Sequence, residues 1–137
     1  MSDNDFQPLG MSDDRMFGPR AFVVSGFDAS EQDAFLRVLQ DAGVRDVPVC
    51  FAGDAESQQR LDVLAAASQS VPGPSTLARA VVLSGATESE LHRVMSAYRA
   101  HGLPRPLWAT LTEVSADWTL AELLDELAAE RVAIEGA

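Results

Sequence analysis

The chain has 137 residues, of which 47% are hydrophobic and 23% are charged, and these are ordinary values for one globular domain. Its formal net charge of −11 argues against nucleic acid and anionic membranes as partners, because both are bound mainly through clustered cations. All 10 basic residues are arginines, and the absence of lysine excludes Schiff-base chemistry and a lysine-containing phosphate loop.

The first segment, residues 1–19, is predicted to be a disordered acidic tail. It is polar and rich in turn-forming residues, and it lacks the apolar stretch of a signal peptide. Met11-Ser12-Asp13 repeats Met1-Ser2-Asp3, so either methionine fits as the start. The chain also has a single cysteine, Cys50, and no run of about 20 apolar residues. We therefore predict a cytoplasmic protein without a membrane span.

An internal repeat occupies residues 20–137, which we predict to form one domain. Residues 20–44 align with residues 79–103 at an offset of 59 without a gap, and eight of the 25 pairs are identical. Unrelated segments of this length share about one or two identities at average residue frequencies. We predict two copies, 20–68 and 79–137, joined by a Pro/Gly/Ser linker at 69–78.

Each copy is predicted to run strand, helix, strand, helix. The first strand of each copy is a short apolar run without alternation, which is typical of strands covered on both faces. The next helix opens with a capping box, Asp28–Glu31 in the first copy and Thr87–Glu90 in the second, and ends at Gly43 or Gly102. The predicted strands are 21–25, 47–52, 80–84 and 107–112, and the later helix of each copy is 56–67 or 120–131.

This alternation predicts an α/β fold, a tandem (βαβα)2 pseudo-repeat with a four-stranded, mainly parallel sheet and helices on both faces. The simplest symmetric arrangement has strand order 2-1-3-4. In it the first strands of both copies lie side by side and point the same way, and the two crossovers lie on opposite faces of the sheet. A ferredoxin-like α+β arrangement is the alternative.

Two candidate ligand-binding sites follow from this arrangement. Parallel central strands would form a crevice at their carboxyl ends, lined by Ser25-Gly26 and Ser84-Gly85 beneath two helix N-termini. These pairs also suit a sharp strand-to-helix turn, and the acids on the first helical turns disfavour an anion. The second candidate is the loop after the last strand, which carries Thr112, Ser115, Asp117 and Trp118. Trp118 also fits a hydrophobic staple before the capping box that starts at Thr119.

No catalytic or metal-binding constellation is evident. His92 and His101 are nine residues apart on one predicted helix, which places them on opposite faces. No cluster of cysteines and histidines has the spacing of a zinc site. We therefore predict neither a metal nor a cofactor.

The segment PLWATLTEVSADWTLAELLDELAAE, residues 106–130, resembles the C-terminal signature of a bacterial family known as domain of unknown function 3783. The signature has a strand that ends in threonine, a short polar loop, a tryptophan and a leucine-rich helix. The matching residues here are Thr112, Asp117, Trp118, Leu120, Leu123, Leu124, Glu126, Leu127 and Glu130. The family loop tends to read Thr-Pro-Thr-Asn, whereas this chain has Thr112-Glu113-Val114-Ser115. The resemblance implies a small α/β protein and no particular reaction.

The favoured functional hypothesis is a non-enzymatic binding or regulatory module. Its partner would be a protein, a second copy of the chain, or a small neutral or cationic ligand, and the outer strands of the sheet give dimerisation a physical reason. The alternative is a small enzyme that uses carboxylates and hydroxyls in the central crevice, with Glu88 or Glu113 as general base.

Overall fold

The computed structural model describes residues 15–45, 47–66 and 76–135, with side chains up to residue 130. Residues 1–14 of the predicted tail and 67–75, which include most of the predicted linker, lie outside the described residues. All eight predicted elements are present, although β2 and β4 are shorter than predicted and a 3-10 turn, Asp54–Glu56, precedes the second helix. The elements are β1 (Ala21–Ser25), α1 (Ala29–Asp41), β2 (Val49–Ala52), α2 (Leu61–Ala66), β3 (Ala80–Ser84), α3 (Glu88–Ala100), β4 (Leu107–Thr110) and α4 (Leu120–Glu135).

The helices α1 and α3, each of which connects two parallel strands, begin at the predicted capping boxes. The Glu31 amide donates to Asp28 Oδ1 at 2.9 Å, and the Asp28 amide donates to Glu31 Oε1 at 3.0 Å. Thr87 and Glu90 exchange the same pair of bonds, each at 3.0 Å. These bonds satisfy amides that have no partner within the helix, which fixes where α1 and α3 start.

The sheet has the predicted strand order, β2-β1-β3-β4, and not the ferredoxin-like alternative. Both outer pairings, β1 with β2 and β3 with β4, are parallel, as a mainly parallel sheet requires. The direction predicted for the central pair is wrong, because β1 and β3 are antiparallel. Ala21 lies opposite Ser84, and Ser25 lies opposite Ala80.

A pseudo-twofold axis perpendicular to the sheet relates the two copies. In the central pair Val23 lies opposite Val82, its own equivalent at the repeat offset. An isolated antiparallel bridge on the helical layer below joins Arg60 to Thr119, which are again equivalent residues. Both pairs therefore mark the same axis, and each copy contributes an equal half of the fold.

Two helical layers enclose the sheet, so helices cover both faces as predicted. The two crossovers, α1 and α3, lie on the same face and pack against each other, which corrects the expectation that they lie on opposite faces. With β3 reversed, Phe35 of α1 and Tyr98 of α3 share one core, and their ring centroids are 6.5 Å apart. The other layer is α2 and α4, with Leu61, Leu64, Leu120 and Leu123 against Val23 and Val82.

Candidate functional site

The crevice predicted between the two Ser-Gly turns does not form. Because β1 and β3 are antiparallel, Ser25-Gly26 lies at one end of the sheet and Ser84-Gly85 at the other. Ser25 is buried and donates its hydroxyl to the Ala78 carbonyl at 2.8 Å. Ser84 is equally buried, and its Oγ has no hydrogen-bond partner among the described residues. The two turns therefore cannot line one ligand site.

Both turn glycines are needed for close packing between the two copies. Gly26 has φ +77°, and a Cβ built on it would lie 2.7 Å from the Cα of Arg79. Gly85 has φ +64°, and a Cβ there would lie 2.5 Å from the carbonyl oxygen of Gly18. Each turn thus packs against the backbone that leads into the first strand of the other copy, which is a structural role.

Two arginine clamps, Arg20–Glu90 and Arg79–Glu31, tie each copy to the helix cap of the other. Arg20 donates to both carboxylate oxygens of Glu90, at 2.8 and 2.6 Å. The equivalent Arg79 donates to Glu31 at 3.0 Å, and its guanidinium carbon lies 4.8 Å from the ring centroid of Phe27. The hydrogen bonds from Arg20 are the main reason that the pKa of Glu90 falls from 4.5 to about 2.

The loop after β4 is held by bonds within the protein. Ser115 Oγ accepts from the Thr112 amide at 3.0 Å, and Thr112 Oγ1 accepts from the Ser115 amide at 3.1 Å. Asp117, in the 3-10 turn Ser115–Asp117, accepts at 2.7 Å from Arg60, which immediately precedes α2. Trp118 packs on the core beneath these helices. The predicted site residues of this loop are close together, and each has a structural partner.

Two pockets at equivalent positions lie on the face that carries α1 and α3. The α3 pocket, about 390 Å³, lies between the last turns of α3 and the start of β4. The α1 pocket, about 550 Å³, lies between α1 and β2, and six of its seven lining positions correspond to the α3 pocket at the repeat offset. The α3 pocket is lined by Met95, Tyr98, Arg99, Leu103, Arg105, Pro106 and Trp108, and the α1 pocket by Leu36, Leu39, Gln40, Val44, Arg45, Val47 and Val49.

The α3 pocket combines cations with aromatic rings. Tyr98 and Trp108 meet edge to face, with ring centroids 5.4 Å apart. Burial raises the pKa of Tyr98 to about 12, and its neutral hydroxyl donates to the carbonyl of Pro104. Arg99 and Arg105 are exposed, and neither side chain forms an ion pair or hydrogen bond within the described residues. None of the described residues that line this pocket is acidic.

The α1 pocket is lined from equivalent positions but has different chemistry. Leu39 and Val49 stand where the α3 pocket has its tyrosine and its tryptophan, and Gln40 stands where it has Arg99. Arg45 is the one cation among the described residues that line it. The two copies therefore keep a common cavity, and only the second surrounds it with aromatic rings and two arginines.

The differences between the copies play no part in recognising the repeat. The repeat is recognised from identical residues, whereas three substitutions between equivalent positions, Leu39 to Tyr98, Gln40 to Arg99 and Val49 to Trp108, all fall in one pocket. These three are among many differences between the copies, because 17 of the 25 aligned pairs are not identical, so the sequence alone does not single out the pocket.

A third, shallower pocket of about 380 Å³ lies between α1 and α3 and includes His101, whose Nε2 is 2.6 Å from Asp41 Oδ2. Within the part of the chain that the structure describes, no three potential metal ligands form a cluster. No helix in that same part has the length and apolar character needed to cross a membrane.

Comparison with known proteins agrees with the resemblance of the C-terminal signature. Residues 79–134 match the family model described as Domain of unknown function (DUF3783). No curated protein and no solved structure matches the chain. The matched range covers β3, α3, β4 and nearly all of α4, so it contains almost the whole second copy of the repeat together with the α3 pocket. The C-terminal unit of the chain, residues 79–134, is therefore similar to the DUF3783 family.

Proposed function

We propose that this protein is a cytoplasmic binding module, not an enzyme, and that its α3 pocket holds an anionic group attached to an apolar body. The observation that carries the proposal is a pair of exposed arginines, Arg99 and Arg105, that have no ion-pair partner among the described residues and lie beside the Tyr98–Trp108 ring pair. A guanidinium binds a carboxylate through two parallel hydrogen bonds, and the rings and aliphatic side chains suit an apolar group.

The distribution of charge supports an anion at this place. Arg20, Arg60 and Arg79 are each paired with carboxylates, so they are not available to a ligand. The overall charge of −11 repels anions at long range, but at physiological salt charges beyond about 8 Å are largely screened. The charges nearest to the ligand then dominate its electrostatic interaction with the protein, and the charges that line the pocket are positive.

This proposal differs from the expectation of a neutral or cationic ligand. That expectation rests on the acids at the first turns of α1 and α3. Glu31 and Glu90 of these turns already cap their own helices and bind the clamp arginines. Neither residue lines the α3 pocket.

The fold does not support the enzymatic alternative. It requires a central crevice with carboxylates and hydroxyls, and the antiparallel central pair removes that crevice. Glu113 is exposed, Glu88 is half-buried, and neither lines the pockets described above. The tyrosine of the α3 pocket is a neutral phenol with its hydrogen bond already made to backbone.

A titration with phenylacetate, followed by two-dimensional 1H–15N NMR, tests the proposal. We expect weak binding, on the order of millimolar for so small a ligand, with the largest shifts at the Trp108 indole N–H and at Arg99 and Leu103. Phenylacetamide has the same ring without the charge and is expected to bind much more weakly.

Variants supply the matched controls. R99Q/R105Q removes both charges and keeps a polar, unbranched side chain at each position, so it is expected to abolish the shifts caused by phenylacetate. R45Q removes the one arginine of the α1 pocket and is expected to leave them unchanged. Equal binding of the neutral amide, unchanged binding by R99Q/R105Q, or shifts centred on the Ser25 or Ser84 turn would each contradict the proposal.

A further inference from the structure

We propose that the natural occupant is an acidic, extended segment of a partner protein, which adds as a fifth strand to the open edge of β4 and places a carboxylate beside Arg99 and Arg105. This inference rests on the proposed function of the α3 pocket. It adds the class of partner and the manner of binding, which is β-strand addition combined with recognition of an acidic side chain.

The hydrogen bonds of β4 show which of its backbone groups are available. The Leu107 amide donates to the Arg79 carbonyl at 2.9 Å, and the Leu111 amide donates to the Leu83 carbonyl at 2.8 Å. Backbone groups of successive strand residues point to alternate sides, so Leu107, Ala109 and Leu111 face β3. Trp108 and Thr110 therefore direct their N–H and C=O groups toward the outer edge.

Of the two outer strands, β4 offers the accessible edge. All four of its residues are partly exposed, whereas Cys50, Phe51 and Ala52 of β2 are buried. Within the described residues nothing pairs with the outer side of β4, because the sheet order ends there. An accessible strand with outward-facing donors and acceptors is a template for another extended chain.

The α3 pocket adjoins this edge. Trp108 lines the pocket with its side chain, and its backbone faces outward. Arg105 and Pro106 immediately precede β4 and also line the pocket. A strand added about 4.8 Å beyond β4 would pass this end of the sheet, with its side chains within reach of both arginines. Charge complementarity then selects an acidic segment over a basic one.

Peptide binding measured by amide hydrogen exchange is the test. The probe is the blocked hexapeptide acetyl-Glu-Leu-Glu-Val-Thr-Val-amide, added to the full chain. At free peptide ten times above its Kd, we expect exchange of the Trp108 and Thr110 amides to slow about tenfold, since only the unbound fraction exchanges. Lys replacing both Glu residues, or N-methylation of alternate peptide bonds, is expected to remove this protection.

The variant T110P separates this inference from the proposed function. Proline is tolerated on an edge strand where the N–H points away from the sheet, so T110P removes an outward donor and keeps the bonds to β3. We expect it to weaken the hexapeptide at least about fivefold, the value of one hydrogen bond, and to leave phenylacetate binding unchanged. Should T110P fail to fold, the N-methylated peptide makes the same comparison on the unaltered chain.

Several results would overturn the inference. Phenylacetate binding without peptide protection of Trp108 and Thr110 would refute strand addition and leave the pocket proposal standing. Equal protection by the Lys-substituted peptide would refute the role of the arginines. A dimer in light scattering, converted to a monomer by T110P, would show that a second copy of the chain occupies the edge.

Discussion

Arg20 and Arg79 act on the helix caps of the opposite copy. Each lies just before the first strand of its own copy and donates to the glutamate that caps the crossover helix of the other. The side chains of Arg20 and Glu90 are only 25% and 14% exposed, so solvent screens this pair less than a surface ion pair. One side chain thus stabilises both a helix end and the contact between copies.

At the scale of single residues, we first predict how the stability of the fold depends on pH. Because folding lowers the pKa of Glu90 from 4.5 to about 2, its stabilising effect is complete above pH 4.5 and is lost as the pH falls through 2. The shift corresponds to about 3 kcal/mol, which the clamp and the cap share. Urea unfolding between pH 5 and pH 2 is expected to show a larger loss in the wild type than in E90Q, because the lowered pKa values of Asp28 and Asp62 contribute equally to both proteins.

E122Q is the matched control for that experiment. It removes the capping glutamate of α4, which bonds to Thr119 and to no clamp arginine. We expect E122Q to lose stability on acidification as the wild type does. An E90Q protein with the same acid-dependent loss as the wild type would contradict the assigned role of the clamp.

At the scale of elements, the turns from strand to helix are the most constrained part of the backbone. G26A would place a methyl group 2.7 Å from backbone of the other copy, at a positive φ. G43A changes a residue with a similar φ, +74°, where a Cβ meets nothing within 4 Å. A left-handed backbone alone costs about 1–2 kcal/mol, so any excess in G26A measures the packing between copies.

Chemical denaturation compares the two variants. We expect G43A to lose about 1 kcal/mol and G26A at least about 3 kcal/mol, because backbone atoms cannot move aside as a flexible side chain can. Equal losses for the two variants would mean that the close approach of the copies at Gly26 is absent.

The sequence predicts the elements well because their causes are local. Apolar runs such as 80–84, and capping boxes such as Thr87–Glu90, depend on residues a few positions apart, and the structure has both. The direction of β3 cannot be predicted from local sequence, because a run that is buried on both faces fits a sheet equally well in either direction. The repeat therefore predicts two equivalent halves, but it does not determine whether their first strands are parallel or antiparallel.

The candidate site could be predicted only in part for the same reason. Residues near in sequence, such as Thr112 and Ser115, are indeed neighbours in the structure. Parallel central strands would bring Ser25 and Ser84 together, and the reversed strand separates them. The α3 pocket lies between the end of a helix and the start of a strand, and its arginines become notable only because no carboxylate among the described residues lines the pocket with them.

At the scale of the whole molecule, the symmetry explains where the pockets lie. A twofold axis through the Val23–Val82 pair places the α1 and α3 pockets at opposite ends of the sheet. The copies share one fold and differ in the lining of these pockets. We infer that both copies maintain the scaffold and that ligand recognition belongs to the second, which is also the unit matched by the family model.

The positions of the Ser-Gly turns and of the pockets depend on the antiparallel pairing of β1 with β3, and backbone NMR distances test that pairing directly. In an antiparallel pair, residues opposite each other without mutual hydrogen bonds have Cα atoms about 4.5 Å apart, and their Hα protons are close. The register and the outward bonds of β1 to β2 make Phe22–Leu83 and Val24–Val81 such pairs. We expect strong Hα–Hα cross-peaks for both pairs. Their absence, with contacts that align Ser25 with Ser84, would show parallel central strands and would contradict the fold, the position of the α3 pocket and the proposal built on it.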